Sequence, residues 1–187
     1  MLRVTLYIAA SLDGFIARPD GRIDWLSTVE VPGEDYGYSA FLETTDVILM
    51  GRVTYEQVLT FGEWPYADKK TVVFTHGGSP SPRSDVVFTQ APVDAVLADL
   101  ERSGYQHAWL VGGGKLIQQF WQAGRIDGWQ ISWIPLLIGE GLPLFPAPGR
   151  EMRLRCIRAQ AFDSGLVQTI YETLSPSDIT PERQEAT

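Results

Sequence analysis

Three glycines in a row interrupt an apolar stretch at Leu110-Val-Gly-Gly-Gly-Lys-Leu-Ile117. A buried strand that runs through glycine into a helix start brings bare backbone close to a ligand and presents free N–H groups to an anion. A second passage of this kind is Met50-Gly51-Arg52-Val53-Thr54-Tyr55-Glu56, where Arg52 and Thr54 could hold a phosphate by charge and hydroxyl. A third apolar run, Lys70 to Thr75, ends at His76, so Thr75 and His76 could meet the ribose phosphate of an adenine dinucleotide. Each pattern has a bland explanation: a tight turn without a ligand, a capped helix with a solvated arginine, an exposed loop histidine. The glycine block is neither Gly-x-Gly-x-x-Gly nor a Gly-Lys-Ser/Thr phosphate loop.

A fourth segment, Ala9-Ala-Ser-Leu-Asp-Gly-Phe-Ile16, places small residues at a strand end, where a flat ring could lie on the backbone. The loop beyond it carries Asp24 and Trp25 and could close over a substrate and exclude water. Asp13 in the turn is better explained by bonds to its own backbone than by catalysis.

Other chemistries find no support. There is no Gly-x-Ser-x-Gly elbow, and His76 and His107 are too far apart in sequence for metal-ligand spacing, so no metal is expected. The single cysteine, Cys156, lies in a strand-like run and excludes an intrachain disulfide; a reducing, cytoplasmic setting fits. The formal charge of -8, without a Lys/Arg cluster, argues against nucleic acid and against an anionic membrane surface. It leaves room for one anionic small ligand held locally. The run from Val4 to Leu12 stops at Asp13-Gly14 and reads as a strand rather than a signal peptide. No apolar run approaches the roughly 20 residues of a membrane helix.

The elements that must position these residues follow from periodicity and punctuation. Strands are expected at Val4 to Ala10, Asp46 to Met50, Lys70 to Thr75, Asp85 to Thr89 and Ala108 to Val111. Helices are expected at Glu34 to Thr45, Gly51 to about Phe61, Pro92 to Ser103 and Gly114 to Ala123, the last closed by Gly124. Ser11 to Gly33 reads as a long loop. Ile126 to Pro135, Met152 to Phe162 and Leu166 to Leu174 are strands only, the last two joined by a turn at Asp163-Ser164-Gly165. Alternation followed by strands predicts an α/β fold: a mainly parallel sheet covered on both faces, closed by an antiparallel hairpin. One domain over 1–174 and a polar, frayed tail over 175–187 complete the expectation.

Taken together, these blocks resemble the dihydrofolate-reductase-like family, which includes the C-terminal reductase domain of riboflavin biosynthesis. The resemblance covers Val4 to about Leu174 and rests on Ala-Ala-Ser-Leu-Asp-Gly, Ile-Leu-Met-Gly-Arg-x-Thr-Tyr-Glu, the strand at Thr71 to Thr75, Val-Gly-Gly-Gly, Ile126-Asp127 and Ile134-Pro-Leu-Leu-Ile-Gly-Glu-Gly-Leu-Pro-Leu-Phe145. It implies a three-layer αβα sandwich and a stand-alone, NADPH-dependent reductase. By the family pattern Ala10 and Ile16 would flank the nicotinamide. Gly51, Arg52, Thr54, Thr75 and His76 would lie near the adenosine and its 2′-phosphate, and Val111, Gly112, Gly113, Gly114, Lys115, Leu116 and Ile117 would hold the pyrophosphate. The acceptor would be a flat heterocycle, either a pterin or the phosphoribosylaminouracil of riboflavin biosynthesis. Asp35, with Glu34 beside it, takes the place of the acid that assists pterin protonation, and Trp25 resembles the loop tryptophan near the substrate. The riboflavin reductase usually carries Lys before Ala-Ser-Leu-Asp-Gly and Glu before its glycine block, and here the corresponding residues are around Tyr7 and Val111. The resemblance also implies a homodimer, with which the apolar run Trp133 to Leu137 is compatible. The competing reading is a dinucleotide-binding protein of the same fold without turnover.

Overall fold

The computed structural model describes residues 1–77, 83–175 and 178. In chain order it contains β1 (Arg3–Ser11), β2 (Phe15–Ala17), a 3-10 turn (Asp24–Val29), α1 (Tyr38–Glu43), β3 (Val47–Gly51), α2 (Arg52–Val58), a second 3-10 turn (Leu59–Phe61), β4 (Lys70–Phe74), β5 (Val86–Thr89) and α3 (Val93–Arg102). It continues with β6 (His107–Gly112), α4 (Gly114–Ala123), β7 (Gly128–Ile134), β8 (Leu142–Pro143), β9 (Leu154–Ala161) and β10 (Val167–Thr173). Eight strands form one sheet in the order β5-β4-β3-β6-β1-β7-β10-β9. The six from β5 to β7 are parallel, and β10 pairs antiparallel with both β7 and β9. The α/β sandwich with a closing hairpin is therefore the observed architecture.

Strand alternation builds the two covered faces. Val4, Leu6 and Ala10 of β1, Val47 and Leu49 of β3, and Ala108 and Leu110 of β6 point to one side. There they meet Val93, Val96, Leu97 and Leu100 of α3 and Leu116, Ile117 and Phe120 of α4. The spacing of both sets marks one stripe of a helix. The intervening residues Tyr7, Ile48, Met50 and Trp109 face the other side, under Tyr55 and Val58 of α2 and Phe41 and Leu42 of α1. The near-continuous apolar sequences of the central strands reflect burial from both sides. Two carboxylates fasten the amino-terminal edge. Asp127 accepts from the Val4 N–H at 2.7 Å, and Asp46 accepts from the Gln106 and His107 N–H groups at 2.9 Å each.

Three expectations need correction. The segment Ser11 to Gly33 is not structureless. It holds β2, which pairs with β8, and the 3-10 turn, whose Trp25 and Val29 are buried. A three-residue strand paired with one of two residues containing a proline has no alternation to read. The helix expected from Glu34 begins only at Tyr38, because Tyr36 (φ 56°) and Gly37 (φ 79°) lie in the left-handed region. The helix after Gly51 stays α-helical only to Val58 and tightens to a 3-10 turn over Leu59–Phe61. The stretch expected to fray, 175–187, lies outside the described residues except for Ser175 and Asp178.

Phe120 is fully buried, and its ring meets Phe74 edge-on with centroids 5.6 Å apart. Phe120→Ala should lower unfolding stability by about 3–5 kcal/mol through lost burial and the cavity left behind. Urea denaturation of both proteins measures this, and a change below about 1 kcal/mol would contradict this packing.

Candidate functional site

The parallel strands β3, β4, β6 and β1 all end at one edge of the sheet, where ligands bind in open α/β folds. The backbone is tightest at the end of β6. Gly112 has φ 121°, and a Cβ there would lie 3.5 Å from Ile117 Cδ1 and Ile8 Cδ1. The next two glycines are hemmed in as well: a Cβ would stand 3.4 Å from Thr54 Oγ1 at Gly113 and 3.1 Å from the Pro143 carbonyl at Gly114. A side chain would be strained at Gly112 by its backbone and crowded at Gly114. α4 starts immediately after the turn, and no side chain caps the helix; the Leu116 N–H turns back to the Gly113 carbonyl at 2.9 Å, which leaves those of Gly114 and Lys115 for an anion.

A cavity of about 560 Å³ opens at this place, within the size range of small-molecule sites. Gly51, Arg52, Thr54, Thr75, His76, Gly113, Gly114, Lys115 and Leu116 line it, so the structure gathers these candidates from three separate strand ends. Among the described residues its lining includes Arg52, His76 and Lys115 but no Asp or Glu. Arg52 is already oriented. Its Nε lies 2.7 Å from Glu56 Oε1, its guanidinium sits 5.1 Å over the Phe88 ring, and it donates to the Gly77 carbonyl at 3.3 Å. The Thr75 hydroxyl also donates to the Gly77 carbonyl, at 2.6 Å.

The remaining candidates lie elsewhere. Ala10 and Ile117 are fully buried in the α3/α4-side core. Val111 packs on the opposite face with the Tyr7–Trp109 cluster. Gly112 sits behind the lining, and Ile16 Cδ1 is 3.8 Å from a Cβ built on Gly114. Alternation explains this: consecutive residues of a strand cannot all face one ligand. Sequence reasoning overlooked the far wall of the cavity, formed by Leu142, Pro143 and Pro146. The pairing of β8 with β2, and a bond from the Leu144 N–H to the Gly14 carbonyl at 2.8 Å, bring that wall in. Asp13 locks the same corner. It accepts from the Ser11 hydroxyl at 2.6 Å and from the Ile138 and Gly139 N–H groups at 3.2 and 2.7 Å.

A second cavity, about 390 Å³, lies on the α1 side of β1 and β7. Tyr7, Trp109, Ser132, Ile134, Val29 and Leu166 form its buried walls, while Glu30, Val31, Glu34 and Asp35 stand exposed at its rim. The Trp109 indole donates to the Tyr7 carbonyl at 2.9 Å, and its ring lies 5.8 Å from that of Tyr38. Burial pushes the Tyr7 hydroxyl up to about 12. Sequence inspection missed this cavity because Tyr7 and Trp109 sit inside runs that read simply as core strand. Ile8 lines the second cavity and also flanks Gly112.

The two catalytic candidates are placed differently. Asp35 is at the rim of the second cavity and serves as the N-terminal cap of α1, accepting from the Gly37 N–H at 2.8 Å and the Ser39 N–H at 3.0 Å. Bonds from the Ser39 hydroxyl first, then from these N–H groups, hold its carboxyl below the usual range. Such a group stays ionised near neutrality and is poorly suited to donate a proton. Trp25 is 2% exposed and does not line the cavity; it shares an apolar cluster with three wall residues, Val29, Ile134 and Leu166. Its indole N–H has no acceptor among the described residues.

The model of the RibD C-terminal domain matches residues 3–168. The chain belongs to this family. It is 42% identical over 156 residues to the uncharacterised protein YwjB of Bacillus subtilis (strain 168), covering 82% of this chain and 88% of YwjB. Among solved structures, a Shewanella sp. PV-4 protein assigned by name to riboflavin biosynthesis is 32% identical, with a TM-score of 0.86 over 93% of this chain and all of that one (100%). The diaminohydroxyphosphoribosylaminopyrimidine deaminase/5-amino-6-(5-phosphoribosylamino)uracil reductase of Thermotoga maritima shares the fold at 16% identity, with a TM-score of 0.71 over 92% of this chain and 57% of that one. Among the described residues, no helix is long and apolar enough to cross a membrane.

The cap role of Asp35 has a measurable sign. Its native affinity for protons is lowered, so its contribution to stability is full above the unfolded carboxyl value of about 3.9 and is lost as pH falls through the native value. Asp35→Asn should be less stable than the parent at pH 7, and the gap should close below about pH 4. Denaturant midpoints across that range decide it. A gap that persists in acid would contradict the ionised cap.

Proposed function

We propose that the chain is a reductase that uses NADPH to reduce a flat heterocycle. The observation that carries this reading is the larger cavity, where an uncapped helix start, a glycine turn and the Arg52, His76 and Lys115 side chains meet; Glu56, which pairs with Arg52, lies outside the lining. That donor set suits a dinucleotide with several phosphates. The space left at Gly113 and Gly114, which any Cβ would fill, suits a pyrophosphate held against backbone. In this reading Gly113, Gly114 and Lys115 hold the pyrophosphate, Arg52, Thr54, Thr75 and His76 hold the adenosine and its 2′-phosphate, and Ile16 bounds the nicotinamide end. The bound cofactor supplies the hydride. The protein supplies orientation through the glycine turn, and it excludes water through the Asp13-locked corner. The smaller cavity, whose lining includes Ile8, is the place this reading gives the acceptor.

A second reading, dinucleotide binding without turnover, is favoured by one observation: Asp35 is held ionised as a helix cap. Turnover then needs either solvent or an acceptor that requires no protein acid. We also propose a homodimer, supported by the edge strand β9, which exposes Leu154 and Ile157; light scattering should return twice the chain mass.

Titration with NADPH, followed by nicotinamide fluorescence, should show saturable binding. Arg52→Gln should weaken NADPH about tenfold or more and NADH much less, because the lost charge-assisted bonds are those to the extra phosphate. Equal losses for both dinucleotides would remove Arg52 from the 2′-phosphate, and no binding of either would overturn the cofactor assignment. Loss of nicotinamide absorbance with an acceptor then separates reductase from binder.

A further inference from the structure

The two cavities have opposite linings. Among the described residues, the larger is lined by Arg52, His76 and Lys115 and by no acid, the smaller by Glu30, Glu34 and Asp35 and by no Lys, Arg or His. We infer that the smaller cavity takes a flat heterocycle that carries no phosphate and is neutral or protonated. This rests on the reductase reading above and narrows its acceptor.

The floor of this cavity is built to recognise a ring. Tyr7 and Trp109 are 9% and 6% exposed, and the half-buried Tyr38 ring lies 6.4 and 5.8 Å from them. Phe41 also packs edge-on against both the Tyr7 and Trp109 rings, at 4.6 and 5.6 Å, so the floor offers a flat ring a rigid aromatic wall rather than open faces. Ser132 supplies a polar anchor. It is 5% exposed, lines the cavity and accepts from Gln168 Nε2 at 3.3 Å. Its own hydroxyl proton has no acceptor among the described residues. A ring carbonyl or ring nitrogen would satisfy it. The Tyr7 hydroxyl, whose bond to the Tyr36 carbonyl is stretched to 3.4 Å, offers a second donor nearby.

The rim sets the charge. Asp35 is held ionised by its cap bonds, and Glu34 Oε1 accepts from the Tyr36 N–H at 2.7 Å, which fixes a second carboxylate at the mouth. A ligand that left a phosphate here would meet fixed carboxylates and no cation. Repulsion of that kind rejects a ligand without improving any contact to the accepted one.

The test compares pairs that differ only in a phosphate: 5-amino-6-ribosylaminouracil with its 5′-phosphate, and dihydroneopterin with its monophosphate. Binding to the full chain is measured by calorimetry, with and without saturating NADPH, alongside the NADPH titration itself. At least one phosphate-free member should bind, its phosphorylated partner about tenfold more weakly or worse. Glu30→Gln/Glu34→Gln should narrow that gap, and Ser132→Ala should weaken the phosphate-free ligand about two- to tenfold. The inference is overturned if no phosphate-free compound binds, if phosphorylated members bind as well, or if the gap is not narrowed at all in Glu30→Gln/Glu34→Gln. Normal NADPH binding alongside any of these would leave the cofactor reading standing.

Discussion

The close approach of three chains at the end of β6 governs the rest of this molecule. Gly112 fits between the Ile8 and Ile117 side chains, Gly113 meets Thr54, Gly114 meets the Pro143 carbonyl, and a Cβ on Gly51 would stand 3.7 Å from the Gly112 carbonyl. A side chain at Gly112 would sit on strained backbone, one at Gly113 would touch Thr54, and one at Gly114 would press on the Pro143 carbonyl. With none present, β3 and β6 end level with each other while β1 runs on to Ser11 beside β7, and α4 begins there without a side-chain cap. The larger cavity is the volume that this contact leaves on one side.

The smaller cavity follows from the same strands by parity. The residues of β1 and β6 that do not support α3 and α4 must point to the opposite face, and there they are Tyr7 and Trp109 rather than aliphatic side chains. α1 covers that face only partly. It starts late, at Tyr38, because Tyr36 and Gly37 take left-handed backbone. The segment before it therefore passes over the sheet as an exposed rim instead of a helix, and space remains beneath. The Tyr36 carbonyl held by Gln168 at 3.1 Å ties this rim to β10. The closing hairpin, which lies far from the glycine turn in the sheet order, thus helps to shape the second cavity.

Much of the fold was legible because its signals are local. Apolar runs bounded by glycine and proline mark the parallel strands, the i, i+3, i+4 stripes mark α3 and α4, and Asp163-Ser164-Gly165 marks the hairpin. The glycine turn and Arg52 were legible as anion-binding candidates for the same reason. What could not be read depends on pairing across the chain. β2 and β8 are too short to show a period and exist only through each other. Tyr7, Trp109 and Ser132 become one cavity floor through the register of β1 with β6 and β7. The role of Asp35 turned on backbone geometry: a carboxylate two residues before a left-handed glycine can cap the helix that follows, and that bonding makes it an unsuitable acid. Trp25 carried a family signal, but its ring went to the core behind the cavity wall, where its burial counts more than its indole N–H.

The charge pattern of the two cavities adds a constraint that neither shows alone. The chain is acidic overall, at -8, yet among the described residues the larger cavity is lined by Arg52, His76 and Lys115 without a carboxylate. In the reading proposed above, a phosphate-rich ligand is drawn to the first place and repelled by the rim of the second. Two sites that both accepted anions would compete, since the phosphates of a dinucleotide could enter either. Opposite linings remove that competition if cofactor and acceptor take the two cavities. Selectivity of this kind comes from a wrong placement that costs free energy rather than from a better contact in the right one.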